Sequence, residues 1–336
     1  MLLHMDGFDS YANAIDLTQE YISYNCEFSI NSGRYGGGCL NFNSNTNYLS
    51  WAANTSHLTD IYTGFAINIL SDCGNSVIAQ FLSINGTEIQ ITYNTTTNHW
   101  CINYSNNNTL IKSIYYPITK NSWHWIELYY NTNGTLTTEI WIDNIPVITC
   151  NNITSITNNN QLTTIQLGSS KNSCSYNILF DDWYILDSSG IYNNARLGDS
   201  RISTLVPTGD AEPNDGYSST PGPNYLMVNE PQWNTSNLVT LQPGNGNAQL
   251  YDMSKLIGNI TLVHAVKALA VMNKENSGIM LVNTVVNSGT VKVLNTSMPV
   301  TTTVNHIYGI FETDPNTSTP WSNVTINNAQ FGITVL

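Results

Sequence analysis

"NILFDDWYILDSSG", residues 177–190, is the stretch whose reading decides the fold. Its apolar residues are bulky, and mostly aromatic or β-branched, as in a buried strand, yet Asp181, Asp182 and Asp187 interrupt it. Neighbours along a regular strand point to opposite faces. On that parity Ile178, Phe180, Tyr184 and Leu186 share a face with Asp182, while Leu179, Trp183 and Ile185 share one with Asp181. Both faces are then largely apolar, and the two carboxylates cannot converge on one bond. Each must accept hydrogen bonds or bind a cation. The expectation is a strand central to a packed sandwich, its aspartates accepting donors from neighbouring strands, the N-terminal strand among them. A structural calcium and a catalytic pair are the alternatives.

Working outward, helical periodicity is nearly absent. "TGFAINIL" (63–70), "SVIAQFLSI" (76–84) and "TEIQITYN" (87–94) read as successive strands, the last two joined by the hairpin dipeptide Asn85-Gly86. "SWHWIELYYN" passes through Asn133-Gly134 into "LTTEIWID", and Asp143-Asn144 turns the chain into "IPVIT". After Leu186 the composition shifts to Gly, Pro, Ser, Asn and Asp, as in a connector, although "RISTLVP" within it could pair as a strand. Strand signals resume in "ITLVHAVKALAVMN", "GIMLVNTVV", "GTVKVLNTS", "NHIYGIFET" and "AQFGITVL". The Ala-rich "HAVKALAV" is compatible with a helix, and its β neighbours favour a strand. The expected fold is all-β: a jelly roll over 1–190, a connector over 191–212 and a smaller C-terminal β-sandwich over 213–336.

The chain carries 10 Lys+Arg against 23 Asp+Glu, a formal net charge of -13, which argues against nucleic acid as a partner. No stretch approaches membrane-spanning length, so no membrane insertion is expected; "ITLVHAVKALAVM" is broken by His264 and Lys267. "MLLHMDGFDS" lacks a basic region followed by an apolar run, so no export signal is read. The 6 cysteines (Cys26, Cys39, Cys73, Cys101, Cys150 and Cys174) form no metal-binding spacing and are expected as free thiols. Sequons such as those at Asn54, Asn85 and Asn152 follow from the Asn- and Thr-rich composition.

Four motifs then occur in a fixed order: "DGFDSYA", "GRYGGGCLNF", "WHWIELYYNTNGTLTTEIWIDN" and "FDDWYILDSSG". Together they resemble a concanavalin A-like (LamG-type) jelly roll, and more narrowly the N-terminal domain of tailed-bacteriophage virion proteins. In that family the last strand reads Phe-Asp-Asp-x-Tyr-x-Leu-Asp, matched by Phe180, Asp181, Asp182, Tyr184, Leu186 and Asp187. A segment like "LGDSRISTLVPTGDAEP" follows it, and the closing "FETDP", Trp321 and "AQFGI" resemble the C-terminus of such proteins. Asp143-Asn144 replaces the more usual Asp-Gly, which Asn tolerates.

The resemblance implies a non-enzymatic structural protein on the exterior of the virion, assembled in the host cytoplasm. It would be a capsid decoration or head fibre, or tail-associated, docking to other virion proteins and forming a homo-oligomer. The alternative is a lectin-like adhesin holding host-surface glycans, and a polysaccharide hydrolase is the third reading. Nothing in the residues favours catalysis. The Glu-x-Asp-x-x-Glu string of concanavalin-like glucanases is absent; Glu139 and Asp143 share a strand face by parity, but Asp143 sits at a turn. His124 and Glu127 fall on opposite faces, and no GxSxG elbow appears. His4, His57, His99, His264 and His306 are scattered. Gly36-Gly37-Gly38 lacks the lysine and the following helix of a phosphate loop, and reads instead as a close approach or bulge before "CLNF". Trp100, Trp123, Trp125, Trp141, Tyr129 and Tyr130 have the chemistry to stack sugars, and equally to fill a core. No catalytic, cofactor-binding or metal-binding residue is assigned, and no cofactor is expected.

Overall fold

The computed structural model describes the chain except residues 53–57, 73, 84–87, 105–108, 133–135, 154–161, 171–176, 219, 235 and 243–245. Two compact units result: Met1 with Leu3–Ile202, and Leu2 with Ser203–Leu336.

The first unit is a jelly-roll-like β-sandwich. Its strands are β1 (Leu2–Asp6), β2 (Ser23–Asn25), β3 (Glu27–Ser29), β4 (Cys39–Phe42), β5 (Tyr48–Ala52), β6 (Asp60–Ile69), β7 (Asn75–Ser83) and β8 (Glu88–Asn94). They continue as β9 (His99–Tyr104), β10 (Thr109–Tyr115), β11 (Trp123–Asn131), β12 (Leu136–Ile142), β13 (Ile145–Ile153), β14 (Leu162–Gly168) and β15 (Ile178–Asp187). One sheet has the order β13-β12-β11-β6-β15-β4-β3, with β1 pairing β15; the other has the order β10-β9-β8-β7-β14-β5-β2. Alternate residues of both sheets meet in one core that includes Phe42, Phe65, Phe81, Trp100, Tyr130 and Phe180. Each such side chain contributes roughly 1.5–3 kcal/mol by leaving water. The Asp143-Asn144 turn forms as expected, with φ of 49° and 66°. The hairpin tips at Asn85-Gly86 and Asn133-Gly134 lie outside the described residues.

The strand at 178–187 is central, as its sequence predicts, but its parity is not regular. Asp181 pairs with Ala66 and Tyr184 with Gly64, so one extra residue is inserted as a β-bulge. Asp182 takes φ 53°, the left-handed region that Asp and Asn enter more readily than most residues. The bulge reverses the faces beyond it. Ile178, Phe180, Trp183 and Ile185 all enter the core, which corrects the assignment of Trp183 and Ile185 to the face opposite Phe180.

In the second unit, a sheet is built from β16 (Pro207–Asn214), Ala248–Met253, Gln330–Val335, Leu281–Ser288 and Val291–Leu294, with Met298–Pro299 at Leu281–Val282. A ribbon of Val266–Met272 and Asn305–Phe311 packs on it through Ala268 and Phe311 against Val286 and Phe331, and through Met272 and Ile307 against Val282 and Val335. The Ala-rich segment is therefore a strand, its small residues permitting close approach. "RISTLVP" does not pair along its length, since the strand begins only at Pro207. The segment 191–212, read from composition as a connector, is divided between the units: residues up to Ile202 belong to the first, and β16 to the second.

Candidate functional site

The family-like motifs converge on one structural lock. The Gly33–Gly38 loop turns tightly, with Gly33 N donating to Gly37 O at 3.2 Å and Gly36 and Gly37 at φ 86° and 88°. A Cβ on Gly38 would stand 2.1 Å from the Phe8 carbonyl oxygen, so glycine is required there. The loop delivers Arg34 N to Asp181 Oδ2 at 2.6 Å, and its guanidinium lies 3.7 Å from Asp182 Oδ2 and 2.8 Å from Asp199 Oδ1. Asp182 Oδ1 accepts Ile202 N at 2.7 Å. Residues 196–202 form a strap that also reaches β11, where Glu127 accepts Arg196, Gly198 N at 2.9 Å and, from β15, Tyr184 Oη at 2.6 Å. The Arg196 guanidinium lies 3.7 Å over the Trp141 ring.

Asp181 and Asp182 thus both reach Arg34, contrary to the expectation that they point apart, because the bulge turns Asp182 back. Asp181 Oδ1 accepts Asp182 N at 2.7 Å within the bulge itself, and the other backbone donors come from the glycine loop and the 196–202 strap rather than from neighbouring strands. Burial, and for Asp181 the adjacent Asp182 charge, holds both carboxyls above the usual carboxylate range. The backbone donors and Arg34 oppose that rise.

The other candidates are also engaged. Asp143 accepts Trp125 N at 2.9 Å and pairs with His124 at 2.7 Å, which raises the imidazole pKa. Glu139 accepts Trp141 Nε1 at 3.0 Å. Trp100 and Tyr130 lie in the core and Trp125 is 1% exposed, so these rings cannot stack a ligand. The donor atoms of His4, Asp6 and Glu20 come within 4.8 Å of one another, but Asp6 already accepts Tyr11 Oη, Tyr21 Oη and Phe8 N. Cys26, Cys39, Cys101 and Cys150 are free thiols; Cys73, Cys174 and His57 lie outside the described residues.

A surface that the sequence reading did not single out lies on the second sheet, on the face away from the core. Registers align Ser23 with Ser50, Ser50 with Gln166, Gln166 with Gln80, Gln80 with Gln90, and Gln90 with Asn103. The result is one continuous polar row across β2, β5, β14, β7, β8 and β9. The alternate residues Leu49, Ile165, Phe81, Ile89, Ile91 and Ile102 enter the core, which fixes the row's direction. Ser50 Oγ donates to Gln166 Oε1 at 3.0 Å, Gln166 Nε2 to Gly168 O at 3.0 Å, and Asn103 Nδ2 to Thr92 Oγ1 at 3.0 Å. Gln80 is only 6% exposed, yet among the described residues neither its amide nor that of Gln90 makes a hydrogen bond. Tyr48, Thr164, Leu82 and Gln90 are half-buried, so the row lies in a face that still meets solvent. The Gln80 and Gln90 amides are thus open to hydrogen bonding from outside the chain.

No family model matches the chain, and no curated protein matches it. Among solved structures it is similar to an endo-β-1,4-glucuronan lyase from the fungus Trichoderma reesei, at 13% identity over 55% of this chain and 95% of that one, with a TM-score of 0.42. Another is the cellulose-induced protein Cip1, at 11% identity over 59% and 100%, with a TM-score of 0.43. A third is a carbohydrate-binding module, CBM66 from Bacillus subtilis, at 10% identity over 49% and 94%, with a TM-score of 0.35. Likenesses this loose say nothing about role.

Proposed function

We propose that the protein binds glycans, without catalysis, on the outer face of the β10-to-β2 sheet. The observation that carries this reading is the Ser50–Gln166–Gln80–Gln90–Asn103 row, with the Gln80 and Gln90 amides unengaged. A carboxamide offers donors and an acceptor together, as a sugar hydroxyl does, so a row of them matches a surface of hydroxyls. The non-catalytic part of the proposal rests on the carboxylates: Asp181, Asp182, Glu127 and Asp143 are committed to loops, strap and turn, and none of these four belongs to the sheet that carries the row. A glycan array probed with the full chain tests this. Binding that Gln80→Leu abolishes while the fold is retained supports it; an array with no binding, or binding indifferent to Gln80, refutes it.

A second reading is the exterior virion protein implied by the ordered motifs, docked to virion proteins as a homo-oligomer; it is compatible with glycan binding as attachment. Those motifs supply the lock around Asp181 and Asp182, so their resemblance speaks first to how the jelly roll is built. Immunogold electron microscopy of intact particles tests the setting. Gold on heads or tails supports it, and antigen found only free in the lysate removes it.

A further inference from the structure

We infer that the row takes a neutral, linear polysaccharide, free of uronate, sulfate or phosphate groups, lying across the strands with its axis along Ser50–Gln166–Gln80–Gln90–Asn103. This rests on the glycan-binding reading and narrows it by charge and length.

The charge comes from what the strands lack. The six segments, "SYN", "YLSWA", "LTTIQLG", "NSVIAQFLS", "EIQITYN" and "HWCINY", hold no Lys and no Arg. An anionic glycan laid across these six strands would surrender water around its carboxylates or sulfates and find no Lys or Arg on them in return. The hydroxyls of a neutral chain find amides and the hydroxyls of Ser23, Ser50 and Thr92, which exchange hydrogen bonds with them one for one. The net charge of -13 adds long-range repulsion of polyanions.

The length comes from the register. Each step of the row crosses to the next strand, about 4.8 Å away. From Ser23 to Asn103 it crosses five gaps, or about 24 Å. That spacing approaches the advance of one sugar ring along an extended chain, so a chain lying along the row meets a fresh polar side chain at about each unit. The flanking Tyr48 and Leu82 are half-buried and lie beside the row, where ring faces of a sugar can rest on them.

The test is isothermal titration of the full chain with two ladders of oligosaccharides, each from the dimer to the heptamer. One ladder is neutral (gluco-, manno-, galacto- and xylo-oligosaccharides) and the other anionic (oligomers of mannuronate, galacturonate and glucuronate). The expected result is binding of at least one neutral series, with affinity rising at least tenfold from dimer to hexamer and then levelling. The anionic series should bind at least a hundredfold more weakly. Raising salt tenfold should change the neutral Kd less than twofold. Gln80→Leu should weaken the hexamer at least tenfold with an unchanged circular dichroism spectrum, and the more exposed Gln90→Leu serves if Gln80→Leu does not fold. Anionic oligomers binding as well as neutral ones, or affinity already level at the dimer, would overturn this inference while leaving glycan binding standing. No binding in either ladder would instead sink the glycan reading itself.

Discussion

Replacing Asp182 separates the two jobs the structure gives it. It caps Ile202 N through Oδ1 at 2.7 Å, and it holds the bulge at φ 53°. Asp182→Ala loses both. An unpaired, desolvated backbone N–H costs about 1–3 kcal/mol, and a non-glycine residue without a local hydrogen-bonding side chain in the left-handed region costs about 1–2 kcal/mol. The sum is about 2–5 kcal/mol, a fall of roughly 4–20 °C in Tm for a unit of this size. Asp182→Gly removes the strain and keeps the unpaired donor, so about 1–3 kcal/mol is expected from that term alone. Asp182→Asn keeps the acceptor and the tolerance of positive φ. It forfeits the attraction of Arg34 at 3.7 Å but relieves Asp181, so its change should stay within about 1 kcal/mol. Urea unfolding followed by tryptophan fluorescence reads the first unit, because Trp183 is buried next to the change. The order Asn, Gly, Ala, from mildest to worst, is the prediction. Equal losses for Ala and Asn would refute the account of the bulge.

Three further outcomes follow from the same lock and core. Glu127→Ala leaves Arg196, Tyr184 Oη and Gly198 N facing a void and should cost about 3–5 kcal/mol in chemical denaturation; a loss under about 1 kcal/mol would mean that the strap is not held there. Because Asp181 keeps its proton in the folded state to a higher pH than when unfolded, its contribution is full at acid pH and fades as pH rises through the window above about pH 4. Asp181→Asn should therefore gain stability relative to the natural chain between about pH 4.5 and 7.5 in urea titrations, and a relative loss would reverse the sign assigned here. Burial pushes the Cys26 and Cys39 thiols up to about 12, while Cys101 and Cys150 are half-exposed. A maleimide at neutral pH should label the latter pair first by peptide mapping, and equal rates at all four sites would contradict that burial.

Much of the fold is legible because alternation of apolar and polar residues survives even where turns are unusual: Glu88–Asn94 and Leu136–Ile142 lie as strands where their periodicity puts them. The bulge is not legible from periodicity, since one inserted residue reverses every side chain beyond it. The adjacent aspartates were its sole local trace, as Asp enters positive φ more readily than most residues. The amide row was missed for a different reason. Each strand shows a Gln, Asn or Ser at a non-core position, which alternation alone reads as an ordinary solvent face. Their alignment nevertheless requires the order β9-β8-β7-β14-β5, in which β14 arrives between strands far from it in sequence. A row across a sheet is a property of register, and register between distant strands is not written in any one of them.

The most direct test of the central claim is to follow the side-chain amide resonances of selectively ¹⁵N-labelled Gln and Asn while a neutral hexasaccharide is titrated into the full chain. Glycan binding on this face predicts that Gln80, Gln90, Gln166 and Asn103 shift together and saturate at one Kd, while Asn283 and Asn224 of the second unit stay still. Saturable binding that leaves those four resonances unmoved would place the glycan elsewhere and contradict the account.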